Sequence, residues 1–86
     1  MFDRIHKLRR RVEHTSETLE GLLDDYGNFV DTEQAVFIRG YLYSLNLDFE
    51  MAMTRGEESQ LQFIVEDVTN LLTSTAGRLK QYKRLE

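Results

Sequence analysis

The chain has no cysteine, no proline and no tryptophan among its 86 residues. Without cysteine there is no disulfide framework, thiolate metal site or cysteine nucleophile, which fits a reducing compartment. Without proline nothing removes a backbone donor or clashes with a preceding turn, so long uninterrupted helices are favoured. Long apolar runs are lacking as well: the longest covers residues 35–38, far short of the roughly 20 residues a bilayer requires. The Arg-rich beginning differs from a transit peptide because Asp3, Glu13 and Glu17 are acidic where such peptides avoid acids. A cytoplasmic protein with no membrane partner is the expectation. No repeat or low-complexity tract is visible, and the length predicts a single helical domain, residues 1–86.

What is present is helical periodicity. Ile5, Leu8, Val12, Thr15, Leu19, Leu22 and Tyr26 recur at alternating steps of three and four, which is a heptad-like seam. The spacing predicts a helix over about 3–26, with Asp3 as N-cap and with Gly27 and Asn28 as its terminators. Thr15 and Ser16 make its middle weak, a place for a kink. A second helix over 32–55 begins after Asp31, with Gln34 three residues later in the spacing of a capping box. Residues 43–53 also alternate apolar and mostly polar, a strand signature. The helix explains more. At about 100° per residue, Ala35, Ile38, Tyr41, Leu42, Leu45, Phe49, Ala52 and Met53 share an arc of roughly 120°, and a lone strand would leave its edges unpaired. Gly56 closes this helix. A third, over 58–85, has the seam Leu61, Val65, Val68, Leu72, Thr75, Leu79 and Tyr82, widened by Ile64 and Leu71, with residues 73–77 as its soft point. Short connections make successive helices antiparallel, so the predicted fold is an all-α, up-down-up three-helix bundle.

Charge of one sign is scarce in each part of the chain. Residues 1–12 carry a net +4, residues 13–67 a net −11 and residues 68–86 a net +3, which combine to −4. Helix one is thereby set against its own macrodipole, with cations at the positive end and Asp24 and Asp25 at the negative end. In the predicted topology the first and third helices are parallel and offset by about 54 residues. Arg4 then faces Glu57 and Glu58, Arg9, Arg10 and Arg11 face Glu66 and Asp67, and Asp24 with Asp25 faces Arg78 and Lys80.

Chemical motifs are missing. His6 and His14 are eight residues apart, not the i, i+4 pair of a helical zinc site. Glu17 and Glu20 supply the first half of the Glu-x-x-Glu and Glu-x-x-Asp set of helical nucleotide pyrophosphohydrolases, but no Glu-x-x-Asp follows. An EF-hand begun at Asp24 would have Tyr26 and Asn28 at ligand positions and its glycine misplaced. No catalytic residue, metal site or cofactor is expected, and the chain reads as a non-enzyme.

Two surface features remain. Arg4, Lys7, Arg9, Arg10 and Arg11 are candidate phosphate contacts in a nucleic-acid-binding reading. Conversely, Glu13, Glu17, Glu20 and Asp24 form an acidic stripe that could imitate nucleic-acid phosphates. The stronger anomaly is on helix two, where Val36, Phe37, Tyr43, Leu47 and Met51 lie opposite the core face beside Gly40 and Ser44. A helix apolar on both sides is normally buried on both sides. The expectation is a small protein–protein interaction module, of adaptor, chaperone or inhibitor type, that forms a homo-oligomer through helix two or binds another protein there.

Overall fold

The computed structural model describes residues 2–85 as three helices: α1 (Phe2–Phe29), α2 (Thr32–Arg55) and α3 (Glu58–Leu85). All three are α-helical throughout, including residues 43–53, where the alternating pattern had competed with the helical one. The bundle measures 48 × 20 × 16 Å, the shape expected when a helix of 28 residues, about 42 Å long at 1.5 Å per residue, sets the long axis.

Cross-helix pairs fix the topology. Between α1 and α2 the contacts Arg9 to Glu50, Ser16 to Asn46 and Asp24 to Arg39 run in opposite senses along the two chains, so these helices are antiparallel. Between α1 and α3, Arg4 is 3.8 Å from Glu58, Arg11 borders a groove with Glu66 and Leu22 borders one with Ala76. In each case the α3 partner moves up the chain as the α1 residue does, as parallel packing requires. The α1–α3 contact is the most extensive of the three.

The core is continuous along the bundle. Val12, Leu19, Leu23 and Tyr26 from α1 meet Ala35, Ile38, Leu42, Leu45, Phe49 and Ala52 from α2 and Leu61, Ile64, Val65, Val68 and Leu79 from α3. Leu23, outside the predicted seam of α1, is among the most deeply buried side chains. Ile5, Leu8, Leu22, Leu71, Leu72 and Met53 pack around this core as half-buried residues.

The two turns differ in how they satisfy the helix ends. At the second, Gly56 takes a left-handed conformation (φ 70°, ψ 26°). Its N–H donates to the Met53 carbonyl at 3.1 Å, and the Glu57 N–H donates to the Ala52 carbonyl at 3.0 Å. This is a Schellman closure, which needs a residue without a Cβ penalty. At the first turn the expected glycine stop does not operate. α1 continues through Gly27 and Asn28 to Phe29, and the Tyr26 carbonyl accepts from both Val30 N–H (2.8 Å) and Asp31 N–H (3.1 Å). The Thr32 hydroxyl donates to the Gly27 carbonyl at 2.9 Å. Asp31 caps α2 as predicted, its carboxylate accepting from Gln34 N–H at 3.1 Å. The Gln34 side chain does not complete a capping box; its Oε1 accepts from the hydroxyl of buried Tyr26 at 2.5 Å. Asp3, expected as an N-cap, lies inside the first turn of α1, where its charge still suits the helix dipole.

The soft points are also bridged. α1 is unbroken at Thr15 and Ser16, and Asn46 Nδ2 of α2 donates to Ser16 Oγ at 3.2 Å, which ties that stretch to its neighbour. In α3 the helix also persists through residues 73–77, where Thr75 is buried against the core.

Gly27 serves close packing instead of helix termination. A Cβ built there would lie 3.3 Å from Ala35 Cβ, whereas one at Gly21 meets nothing within 4 Å. Gly21→Ala therefore gains helix propensity, about 0.5–1 kcal/mol, and raises the melting temperature by several degrees. Gly27→Ala forfeits that gain against Ala35, so a thermal melt of the two variants separates them.

Candidate functional site

The exposed face of α2 is the most distinctive surface of the molecule. Among the described residues, nine large hydrophobic side chains are exposed, and six of them belong to α2: Val36, Phe37, Tyr41, Tyr43, Leu47 and Met51. The others, Phe29, Phe63 and Tyr82, are dispersed over α1 and α3. Exposure on α2 reaches 74% at Phe37, 67% at Tyr43 and 65% at Val36. These are side chains projecting into solvent, not edges of the core.

Helical geometry places them together. At 100° per residue, Val36, Gly40, Tyr43, Leu47 and Met51 lie within roughly 80° of one another, with Ser44 and Phe37 beside them. The stripe extends about 22 Å along the axis at 1.5 Å per residue. Between Val36 and Met51 no charged residue enters it. Arg39 and Glu50 bound it on the side of α1, where Arg39 Nη2 donates to Asp24 Oδ1 at 2.5 Å and Arg9 Nη2 to Glu50 Oε1 at 3.4 Å. Asp48 bounds it on the side of α3, in a groove shared with Glu57 and Gln60. Gly40 has no heavy atom within 4 Å of where its Cβ would stand, so its surroundings are open.

Seven residues expected on this face, Val36, Phe37, Gly40, Tyr43, Ser44, Leu47 and Met51, are all exposed. Tyr41 was expected on the core face and is instead 45% exposed. It occupies the edge of that 120° arc, where the ring can pack sideways while its hydroxyl keeps water. The signal was in the residue type, since tyrosine has a polar tip that an aliphatic core does not satisfy.

The N-terminal cations are partly committed to internal partners. Arg4 lies 3.8 Å from Glu58, as the parallel register predicts. Arg9 reaches Glu13 at 3.2 Å and Glu50 at 3.4 Å, so its partner across helices comes from α2, not from Glu66 or Asp67. Arg11 borders a groove with Glu66, Thr69 and Asn70. Lys7 and Arg10 line a shallow exposed groove with Asp3 and His6. Asp24, expected beside Arg78 and Lys80, pairs with Arg39 of α2. Arg78 instead lines an open groove of about 740 Å³ with Asp31, Glu33, Phe37 and Leu71. The reason is positional: Arg39 and Glu50 lie on the flank of α2 that faces α1, within reach of Asp24 and Arg9.

Among the described residues no group of three or more His, Cys, Asp or Glu could hold a metal ion. No buried side-chain nitrogen or oxygen among them lacks a hydrogen-bond partner, and no described helix is long and apolar enough to cross a membrane. No family model, curated protein or solved structure matches the chain.

The two faces of α2 are separable by substitution. Leu45→Asp buries an unpaired carboxylate where Leu45 is 6% exposed, so it lowers unfolding free energy by about 3 kcal/mol or more. Leu47→Asp, where Leu47 is 48% exposed, leaves the helical circular dichroism spectrum of the folded chain intact.

Proposed function

We propose that this chain is a non-enzymatic helical protein–protein interaction module, of adaptor, chaperone or inhibitor type, which acts as a homo-oligomer through α2. The observation that carries this reading is the uncharged apolar stripe from Val36 to Met51. Exposed large side chains that are contiguous, uniform in face and bordered by charge resemble the centre and rim of an interface. Scattered exposed apolar residues, such as Phe63, need no such explanation.

Nucleic-acid binding through Arg4, Lys7, Arg9, Arg10 and Arg11 is less well supported, because no aromatic side chain interleaves with these cations and no recognition motif accompanies them.

Light scattering tests the proposal. The wild-type chain, 10.2 kDa as one copy, should scatter as a dimer or larger, and Leu47→Asp should scatter as a single chain. A wild type that remains a single chain at high micromolar concentration would contradict it.

A further inference from the structure

The following inference rests on the proposal that α2 is an association surface and adds its occupant and orientation. We propose that the stripe is covered by the α2 of a second copy running antiparallel, with the two-fold axis passing beside Ser44 and Leu45.

Charge placement carries the orientation. On the α1 side the bordering charges are Arg39 and Glu50; on the α3 side the bordering polar groups are Tyr41 and Asp48; Glu33 and Arg55 stand near the two ends of the face. Each pair is placed nearly symmetrically about residue 44. A two-fold axis perpendicular to α2 exchanges its ends while keeping each flank against the same flank of the other copy. Arg39 then meets Glu50 of the partner subunit, Tyr41 meets Asp48 of the partner subunit, and Glu33 meets Arg55 of the partner subunit. Parallel pairing instead sets opposite flanks together at equal height. Glu50 would face Asp48 of the partner subunit and Glu33 its own counterpart. Like charges across an interface select against that arrangement.

The existing ion pairs extend this pattern. Arg39 bonds Asp24 and Glu50 lies by Arg9, yet the Arg39 and Glu50 side chains are still 43% and 60% exposed. Antiparallel association would complete a row of alternating sign on each side of the axis: Asp24, Arg39, then Glu50 and Arg9 from the other copy.

Shape agrees with charge. Val36, Gly40, Tyr43 and Leu47 step by four, three and four, the spacing of a coiled-coil seam, and Phe37, Ser44 and Met51 repeat every seven residues beside it. In the antiparallel register Leu47 of each copy covers Gly40 of the other, where space is open. Phe37 meets Met51 of the partner subunit, a sulfur–aromatic contact, and the two Ser44 residues let the backbones approach at the axis. The six exposed large side chains present roughly 600 Å² per copy, taking about 150–200 Å² for each when fully exposed. Complete coverage in two copies would bury at most about 1,200 Å², the lower end of the range for specific interfaces.

Single cysteines test this without background, since the chain has none. Ser44→Cys, Phe37→Cys and Met51→Cys are each sedimented reduced and then oxidised mildly. Antiparallel pairing predicts that Ser44→Cys forms a disulfide dimer at least about tenfold faster than Phe37→Cys alone, because only the former is held at high effective concentration. It also predicts that mixing Phe37→Cys with Met51→Cys yields the mixed disulfide. Gly40→Cys mixed with Asp48→Cys provides a second such pair should either of the first weaken association. Self-linkage of Phe37→Cys as fast as Ser44→Cys overturns the orientation while leaving association through α2 intact. A wild type that sediments as one chain, with no variant cross-linking, overturns both.

Discussion

In a bundle of three helices each helix touches two neighbours, and those two lie on adjacent sides of it. One stripe of each helix can therefore be buried, and the opposite side must face outward. α1 and α3 obey this with charged and polar outer faces. α2 does not: its inner face supplies Ala35, Ile38, Leu42, Leu45, Phe49 and Ala52 to the core, and its outer face is also apolar. Adding the two faces makes α2 the least amphipathic helix of the three. The same 24 residues thus stabilise the bundle and leave it with a surface that water does not favour.

Electrostatics follow from the same arrangement. α1 carries its cations at the wrong end for its own dipole, and the compensation comes from across the bundle: Glu58 from α3 for Arg4, Glu50 from α2 for Arg9. Exposed pairs of this kind contribute only about 0.2–1 kcal/mol each. Their larger effect is selective, because reversing the direction of α3 would remove Glu58 from Arg4. The Arg39–Asp24 and Arg9–Glu50 pairs also keep the edge of the α2 stripe charged, which delimits the apolar surface sharply.

Much of this was legible in the residues. Helical periodicity was strong enough to place the seam of α1 and that of α3 as far as Leu79, beyond which the predicted seam residue Tyr82 is exposed, and in α2 the 120° arc outweighed the alternation at residues 43–53. The parallel register followed from the short connections; of the charge pairings it implied, Arg4 with Glu58 forms, whereas Arg9 and Asp24 turn to α2. Other features depend on three-dimensional context that spacing does not encode. Gly27 resembled a helix stop, but its role is to admit Ala35, and Asp31 and Thr32 close the helix without a left-handed residue. Leu23 broadened the α1 seam because that helix packs against two neighbours, one on each side of its heptad line. Asp24 found Arg39 because both lie on the flank where α1 and α2 meet. The outer face of α2 was visible as a surplus of apolar residues; Tyr41 joined it because its position at the edge of the arc allowed the hydroxyl to stay wet.

The central claim is that the outer face of α2 is covered when the protein is at work as an oligomer, so that association adds stability to a chain that already folds as one copy. The dependence of the melting temperature on protein concentration tests this most directly, since association of folded chains stabilises them by mass action. The account predicts a melting temperature that climbs steadily as concentration is raised from the low micromolar to the millimolar range. A melting temperature that stays constant over that range would contradict it.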